Sequence, residues 1–199
     1  MALSNNKLKR LCVLSDLNSG VHQRLEASAI RLAVAMAEAN IGLVCRGGVR
    51  GLISIIAKTS KEHGGHVTCV APRSCGEQMF EGADEYLLSD SLHECKMLLF
   101  DISDGFVVLP GGVVTLEVLM EYLTWIQRIH QSKPVFIIDL EGYWRFLFKM
   151  FEHMRHEAFL PHNFDMRYIL LDDVINVVPN FQSQLSKRSA SEALLTNFD

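Results

Sequence analysis

Residues 105–122 read Gly-Phe-Val-Val-Leu-Pro-Gly-Gly-Val-Val-Thr-Leu-Glu-Val-Leu-Met-Glu-Tyr, and their hydrophobic period changes part-way along. The run 106–109 is apolar and β-branched in character, which suits a strand buried on both faces. Pro110 ends it, because proline donates no ladder hydrogen bond. Gly111 and Gly112 allow a sharp turn and a close approach of the backbone to another group. From Val114 or Thr115 the apolar positions Leu116, Leu119, Met120 and Leu123 recur at helical spacing. Strand, glycine turn and helix in that order aim backbone N–H groups and the positive end of a helix dipole past the sheet edge. Phosphate is the fitting guest there. Pro-Gly-Gly by itself also serves as a plain turn.

The same alternation runs along the chain. Strands are predicted at 11–15, 41–45, 66–71, 106–109 and 135–138, with a short edge strand at 85–88 and a last short one at 167–171. Helices are predicted at 21–39, 52–61, 91–103, 114–131, 142–157 and 174–186. Ser89–Ser91 and Asp172-Asp173 offer helix N-caps, and Gly64-Gly65 a helix end. Buried strands alternating with helices predict an α/β fold, a doubly wound parallel sheet with helices on both faces. Ligands of such sheets bind beyond the carboxyl ends of the strands. A second glycine turn, Arg46-Gly47-Gly48-Val49-Arg50-Gly51, also follows a strand. The two turns are therefore expected to share one phosphate-bearing ligand.

The chain has 199 residues, 49% of them hydrophobic, enough to bury a substantial core. One domain is expected over 1–186, with a polar tail at 187–199. The net charge of −4, without a long basic run, argues against nucleic acid as a partner. No apolar run reaches the roughly 18 residues a membrane span requires, so no membrane partner is expected. Cys12, Cys45, Cys69, Cys75 and Cys95 are scattered singly. That pattern favours reduced thiols in a cytoplasm over disulfides or zinc. The histidines also lack ligand spacing, so no metal is expected.

Several motifs together resemble the LONELY GUY (LOG) family of cytokinin riboside 5′-monophosphate phosphoribohydrolases, also named possible lysine decarboxylases. They are Pro110-Gly-Gly-x-x-Thr-x-Glu, Gly47-Gly48-x-x-Gly51-Leu52-Ile53, Gly64-Gly-His-Val67, His93-Glu-x-Lys96, Thr124-Trp125 and Lys133-Pro134-Val135. The resemblance spans about residues 9 to 178. It implies a Rossmann-like sheet, a homodimer, and hydrolysis of the N-glycosidic bond of a nucleoside 5′-monophosphate, with no metal or cofactor. The family's second motif is Pro-Gly-Gly-x-Gly-Thr-x-x-Glu, and this chain has Val114 and Val118 where the third glycine and the closing glutamate belong. Cys95 stands where the family places an arginine, and Arg46 replaces the first of three glycines.

An oxocarbenium-like sugar needs a carboxylate to stabilise its charge or to activate water. Glu117 and Glu121 are the candidate catalytic acids. Glu117 serves equally well as a first-turn acid favouring the helix dipole. Glu121 lies three residues after Val118 on the same helix face, about 5 Å deeper. Gly47, Gly48, Gly51, Lys96, Gly111, Gly112, Val113 and Thr115 are the candidate nucleotide and phosphate ligands. The Thr115 hydroxyl is read either as a helix cap or as a phosphate contact. Lys96 is either an electrostatic partner or a surface lysine, and Arg46 and Arg50 either supply the charge missing at Cys95 or lie at the surface. Asp16 is read as a cap or turn residue or as a ribose contact. The functional readings are an AMP-like nucleotide binder with weak or lost hydrolysis, an active hydrolase with a rearranged site, and a structural dimer.

Overall fold

The computed structural model describes residues 8–15, 23–47, 50–73, 79–128, 133–160 and 167–195. In chain order its elements are β1 (Lys9–Leu14), α1 (Gln23–Glu38), β2 (Ile41–Arg46), α2 (Gly51–Glu62), β3 (Val67–Pro72), β4 (Glu85–Ser89), α3 (Leu92–Ile102), β5 (Gly105–Val108), α4 (Val113–Arg128), β6 (Val135–Ile138), α5 (Arg145–His156), β7 (Ile169–Leu171) and α6 (Val177–Leu195). The strands form one seven-stranded sheet in the order β4-β3-β2-β1-β5-β6-β7. Chain order reverses between β1 and β5, the signature of a doubly wound α/β fold. Every residue of β3, β5 and β6 is buried, so both faces of those strands are covered. The edge strands β4 and β7 alternate or are partly open instead.

Contacts group the chain into two compact units. The first comprises Met1–Val13 and Leu17–Asp104. Here β1, β2, β3 and β4 pair in parallel, with Cys12 opposite Val44, Cys45 opposite Cys69, and Cys69 opposite Tyr86. Leu11, Leu32, Met36, Leu43 and Ile56 are fully buried there. Helix α2 stops at the predicted glycines: Gly64 takes a φ of 74°, and the Gly65 N–H donates to the Ser60 carbonyl at 2.7 Å. Helix α3 starts on Ser91, whose side chain accepts from the Glu94 N–H, as its N-cap position predicts.

The second unit comprises Leu14–Asp16 and Gly105–Asp199. Strand β6 pairs with β5 and β7, placing Val107 opposite Phe136 and Ile137 opposite Leu170. Phe106 packs on Tyr122 of α4 at 4.7 Å between centroids, and Phe136 meets Phe181 of α6 edge-on at 6.5 Å. Such buried aromatic pairs tie helix to sheet beyond their area alone.

Most predicted elements appear with ends shifted by one or two residues; the predicted helix start at 21 and helix end at 131 lie outside the described residues. Two differ more. The predicted helix at 142–157 begins only at Arg145, because Leu140–Gly142 form a 3-10 turn in which Glu141 takes a φ of 55°. The last helix, predicted to stop at 186, continues to Leu195 after its own 3-10 turn at Val174–Asn176. Its later residues carry no apolar period, so periodicity misses them.

Charges at the edge of the first unit link stability to pH. Asp84 accepts from Lys61 Nζ at 2.7 Å and from the Val67 N–H at 2.8 Å. Glu85 accepts from Thr68 Oγ1 at 3.0 Å and from Arg10 Nη2 at 2.9 Å. Burial alone would raise both carboxyls, but these donors outweigh it and hold both below their ordinary values. Carboxyls lowered by folding contribute stability that is present above the unfolded range, near about pH 4, and lost as pH falls through the lowered values. The urea midpoint is therefore expected to fall between about pH 5 and pH 3, and Asp84→Asn to flatten that fall. Identical pH profiles for the variant and the parent would refute this linkage.

Candidate functional site

The turn between β5 and α4 lies within the second unit. Leu109 closes the strand by donating its N–H to the Leu14 carbonyl at 3.0 Å. The Ser15 hydroxyl makes a long bond of 3.5 Å to the Pro110 carbonyl. The Gly111 carbonyl accepts from the Tyr143 hydroxyl at 2.6 Å. Helix α4 then begins at Val113, and the Leu116 N–H donates to the Gly112 carbonyl at 3.0 Å. Gly112 is thus the residue before the first helical turn, and no hydroxyl or carboxylate side chain occupies that capping position.

Thr115 is the third residue of α4, and it decides the shape of the turn. Only 2% of it is exposed. A Cβ placed on Gly111 would meet the Thr115 Cβ at 2.7 Å, closer than real Cβ atoms approach. Gly111 is therefore glycine because the Thr115 side chain lies against its α-carbon. The Thr115 Oγ1 is buried without a hydrogen-bond partner among the described residues. The capping reading of Thr115 accordingly finds no bond. A buried hydroxyl left unpaired costs about 1–3 kcal/mol. A ligand oxygen reaching that hydroxyl would recover part of this cost.

The other residues of the turn differ in aspect. Val113 is 83% exposed, and Val114 is also open. Glu117 is exposed and Glu121 half-buried. Val118 is 7% exposed and faces the packed side of the helix with Leu119 and Tyr122. The expected acids thus stand on the outer and intermediate aspects of α4.

The first glycine turn belongs to the other unit. Gly47 takes a φ of 64° and Gly51 a φ of 61°, the left-handed region that glycine enters readily. The Gly47 N–H donates to the Val70 carbonyl at 3.0 Å, and its carbonyl accepts from the Phe80 N–H at 3.0 Å. Both backbone groups of Gly47 therefore serve the fold. Gly48 and Asp16 lie outside the described residues. Lys96 is half-buried on α3, beside the fully buried Cys95. Burial, and then the neighbouring Cys95, push the Cys12 thiol well up, so Cys12 stays a neutral thiol. Cys45 is likewise raised, through its contact with Cys69 at 3.7 Å and its burial. Among the described residues no group of three or more His, Cys, Asp or Glu side chains is arranged to hold a metal ion. No described helix is long and apolar enough to cross a membrane.

Residues 53–181 match the model of the family described as "Possible lysine decarboxylase". The chain belongs to that family. Relatives similar to this possible lysine decarboxylase family member in sequence carry the LOG name. A probable cytokinin riboside 5′-monophosphate phosphoribohydrolase, LOGL5 of Oryza sativa subsp. japonica, is 34% identical over 78% of this chain. The match spans only 64% of the rice protein's own length. Cytokinin riboside 5′-monophosphate phosphoribohydrolase LOG5 of Arabidopsis thaliana is 30% identical over 80% of this chain and 71% of that protein. Among solved structures, the molybdenum cofactor binding protein from the phototrophic bacterium Rippkaea orientalis has a TM-score of 0.69 at 14% identity, covering 90% of this chain and 98% of that one. At that identity the likeness is one of fold.

Tyr143 is the residue that sequence reading missed at this possible lysine decarboxylase turn. Glu141-Gly142 was available as a break signal. The aromatic run behind it reads as one continuous helix instead.

Thr115→Val keeps the shape and removes the unpartnered hydroxyl. In ligand-free protein it is expected to leave the urea midpoint unchanged or to raise it. Gly111→Ala is expected to cost about 1–3 kcal/mol by overpacking against Thr115. Chemical denaturation of the two variants checks both, and a clearly destabilised Thr115→Val would mean that the hydroxyl is already bonded.

Proposed function

We propose that the protein binds a nucleoside 5′-monophosphate, AMP-like, with its phosphate at the β5–α4 turn, and that N-glycosidic hydrolysis is weak or lost. The observation that carries this reading is the buried, unpartnered Thr115 hydroxyl seated on Gly111 at the start of α4. A helix N-terminus favours an anion, and a dry hydroxyl beside it lacks only an oxygen to bond. Family membership and relatives named for a riboside 5′-monophosphate support the same ligand class. Gly111, Gly112, Val113 and Thr115 would hold the phosphate. Gly48, Gly51 and Lys96 remain proposed nucleotide ligands of the first unit, whereas both backbone groups of Gly47 are already bonded within the fold.

The weak-hydrolysis half rests on what stands where the family's arginine and glutamate belong. Cys95 is a fully buried thiol and Val118 a buried valine, so neither brings a charge. Each charged group acting in such a transition state is typically worth about a hundred- to a thousandfold in rate. A second reading keeps activity, with Glu121 or Glu117 as the working acid, and the half-buried setting of Glu121 favours Glu121 of the two. A structural dimer with no ligand is the third. We further propose a homodimer in the cytoplasm. The fully buried thiols of Cys12, Cys45, Cys69 and Cys95 suit a reducing compartment.

AMP is expected to raise the melting temperature while adenosine raises it much less, because only the nucleotide brings the phosphate. Equal shifts from both, or none from either, would refute the phosphate site. Incubation with AMP is expected to release adenine at least about a hundredfold more slowly than a relative with both charged residues does. Efficient turnover would instead establish the second reading, and Glu121→Gln and Glu117→Gln would then identify the acid. Light scattering is expected to give about twice the 22.4 kDa chain mass.

A further inference from the structure

We propose that Tyr143 is a positioning residue for the anion: its hydroxyl locks the Gly111–Gly112 peptide so that the Gly111 carbonyl faces the phenol and not the phosphate. The inference rests on the phosphate reading above and names a residue outside the glycine motif. The bond from Tyr143 Oη to the Gly111 carbonyl is 2.6 Å long and joins residues 32 apart in sequence.

A Gly-Gly peptide rotates easily, because neither flanking residue has a Cβ to restrict it. Its carbonyl oxygen is the negative end of the peptide dipole. Turned toward the start of α4, that oxygen would oppose the phosphate at the place where the helix offers its positive end. Holding the carbonyl elsewhere therefore favours the anion without touching it.

The segment that delivers Tyr143 is built with unusual backbone. After β6 the Asp139 N–H donates to the Leu171 carbonyl at 2.8 Å, and the Asp139 Oδ1 accepts the Trp144 N–H at 2.7 Å. Between them Glu141 and Gly142 take φ values of 55° and 72°. A left-handed glutamate is strained, and such strain persists only where its surroundings enforce it. The Tyr143 ring meets Trp144 edge-on at 4.9 Å and is 50% exposed, so a half-open side chain is held in one direction. A half-exposed tyrosine has water for its hydroxyl, yet here it bonds the one flexible carbonyl of the turn.

Tyr143→Phe removes the hydroxyl and keeps the ring. Titration calorimetry is expected to show AMP and inorganic phosphate binding about three- to tenfold more weakly, the loss of one hydrogen bond. Tyr143→Leu, which also removes the ring contact with Trp144, is expected to lose the same factor and no more. In ligand-free protein, the backbone amide resonance of Gly112 is expected to move and its hydrogen exchange to quicken in Tyr143→Phe. An unmoved Gly112 amide, or unchanged AMP and phosphate affinity, overturns the positioning role while leaving the phosphate site in place if the parent protein binds AMP. Parent protein that binds neither AMP nor phosphate overturns the phosphate reading and this inference with it, whatever the Gly112 amide does.

Discussion

A strand buried on both faces cannot fall back on water, so its backbone must be paired and its side chains apolar. Strands β3, β5 and β6 are buried along their whole length, and all of their side chains but that of Thr68 are apolar. Apart from Thr68, whose hydroxyl is bonded to Glu85 of β4, polar chemistry is thereby left to the ends of these strands. At the carboxyl end of β5 the chain leaves the ladder through Pro110, which cannot continue it, and enters α4 within a few residues. The abruptness of that exit brings the first helical amides close to the strand end.

The same abruptness forces the contact between Thr115 and Gly111. A tight exit brings the first turn of the helix back over the glycine, and only a hydrogen on that α-carbon leaves room. The contact also dries the Thr115 hydroxyl without giving it a partner among the described residues. Burial of an unpaired polar group works against stability, so its retention calls for a reason beyond packing. The anion proposed at the helix start would supply one, since it would meet both the hydroxyl and the dipole.

Catalysis makes stricter demands than binding. Phosphate can be held largely by backbone amides, which any side chain at those positions leaves in place. Bond cleavage needs particular charged groups at particular distances from the sugar. In this chain the two positions expected to carry such groups hold the buried side chains Cys95 and Val118, while Glu117 points outward and Glu121 is half-covered. A site of this kind keeps the means of recognition more readily than the means of reaction.

The doubly wound architecture, the order of strands and helices, the cap at Ser91 and the stop at Gly64 were legible in the chain, because each depends on residues within a few positions of one another. Hydrophobic period, glycine and proline act locally, and local signals survive in one dimension. The motif around Pro110-Gly111-Gly112 was legible for the same reason, and the family with it. Three other facts came from tertiary structure alone. Folding decided that the Thr115 hydroxyl finds no partner among the described residues, that both backbone groups of Gly47 are spent on Val70 and Phe80, and that Tyr143 reaches Gly111 across 32 residues. Which partner a hydroxyl or a carbonyl finds depends on what folding brings beside it, and no spacing along the chain encodes that neighbour.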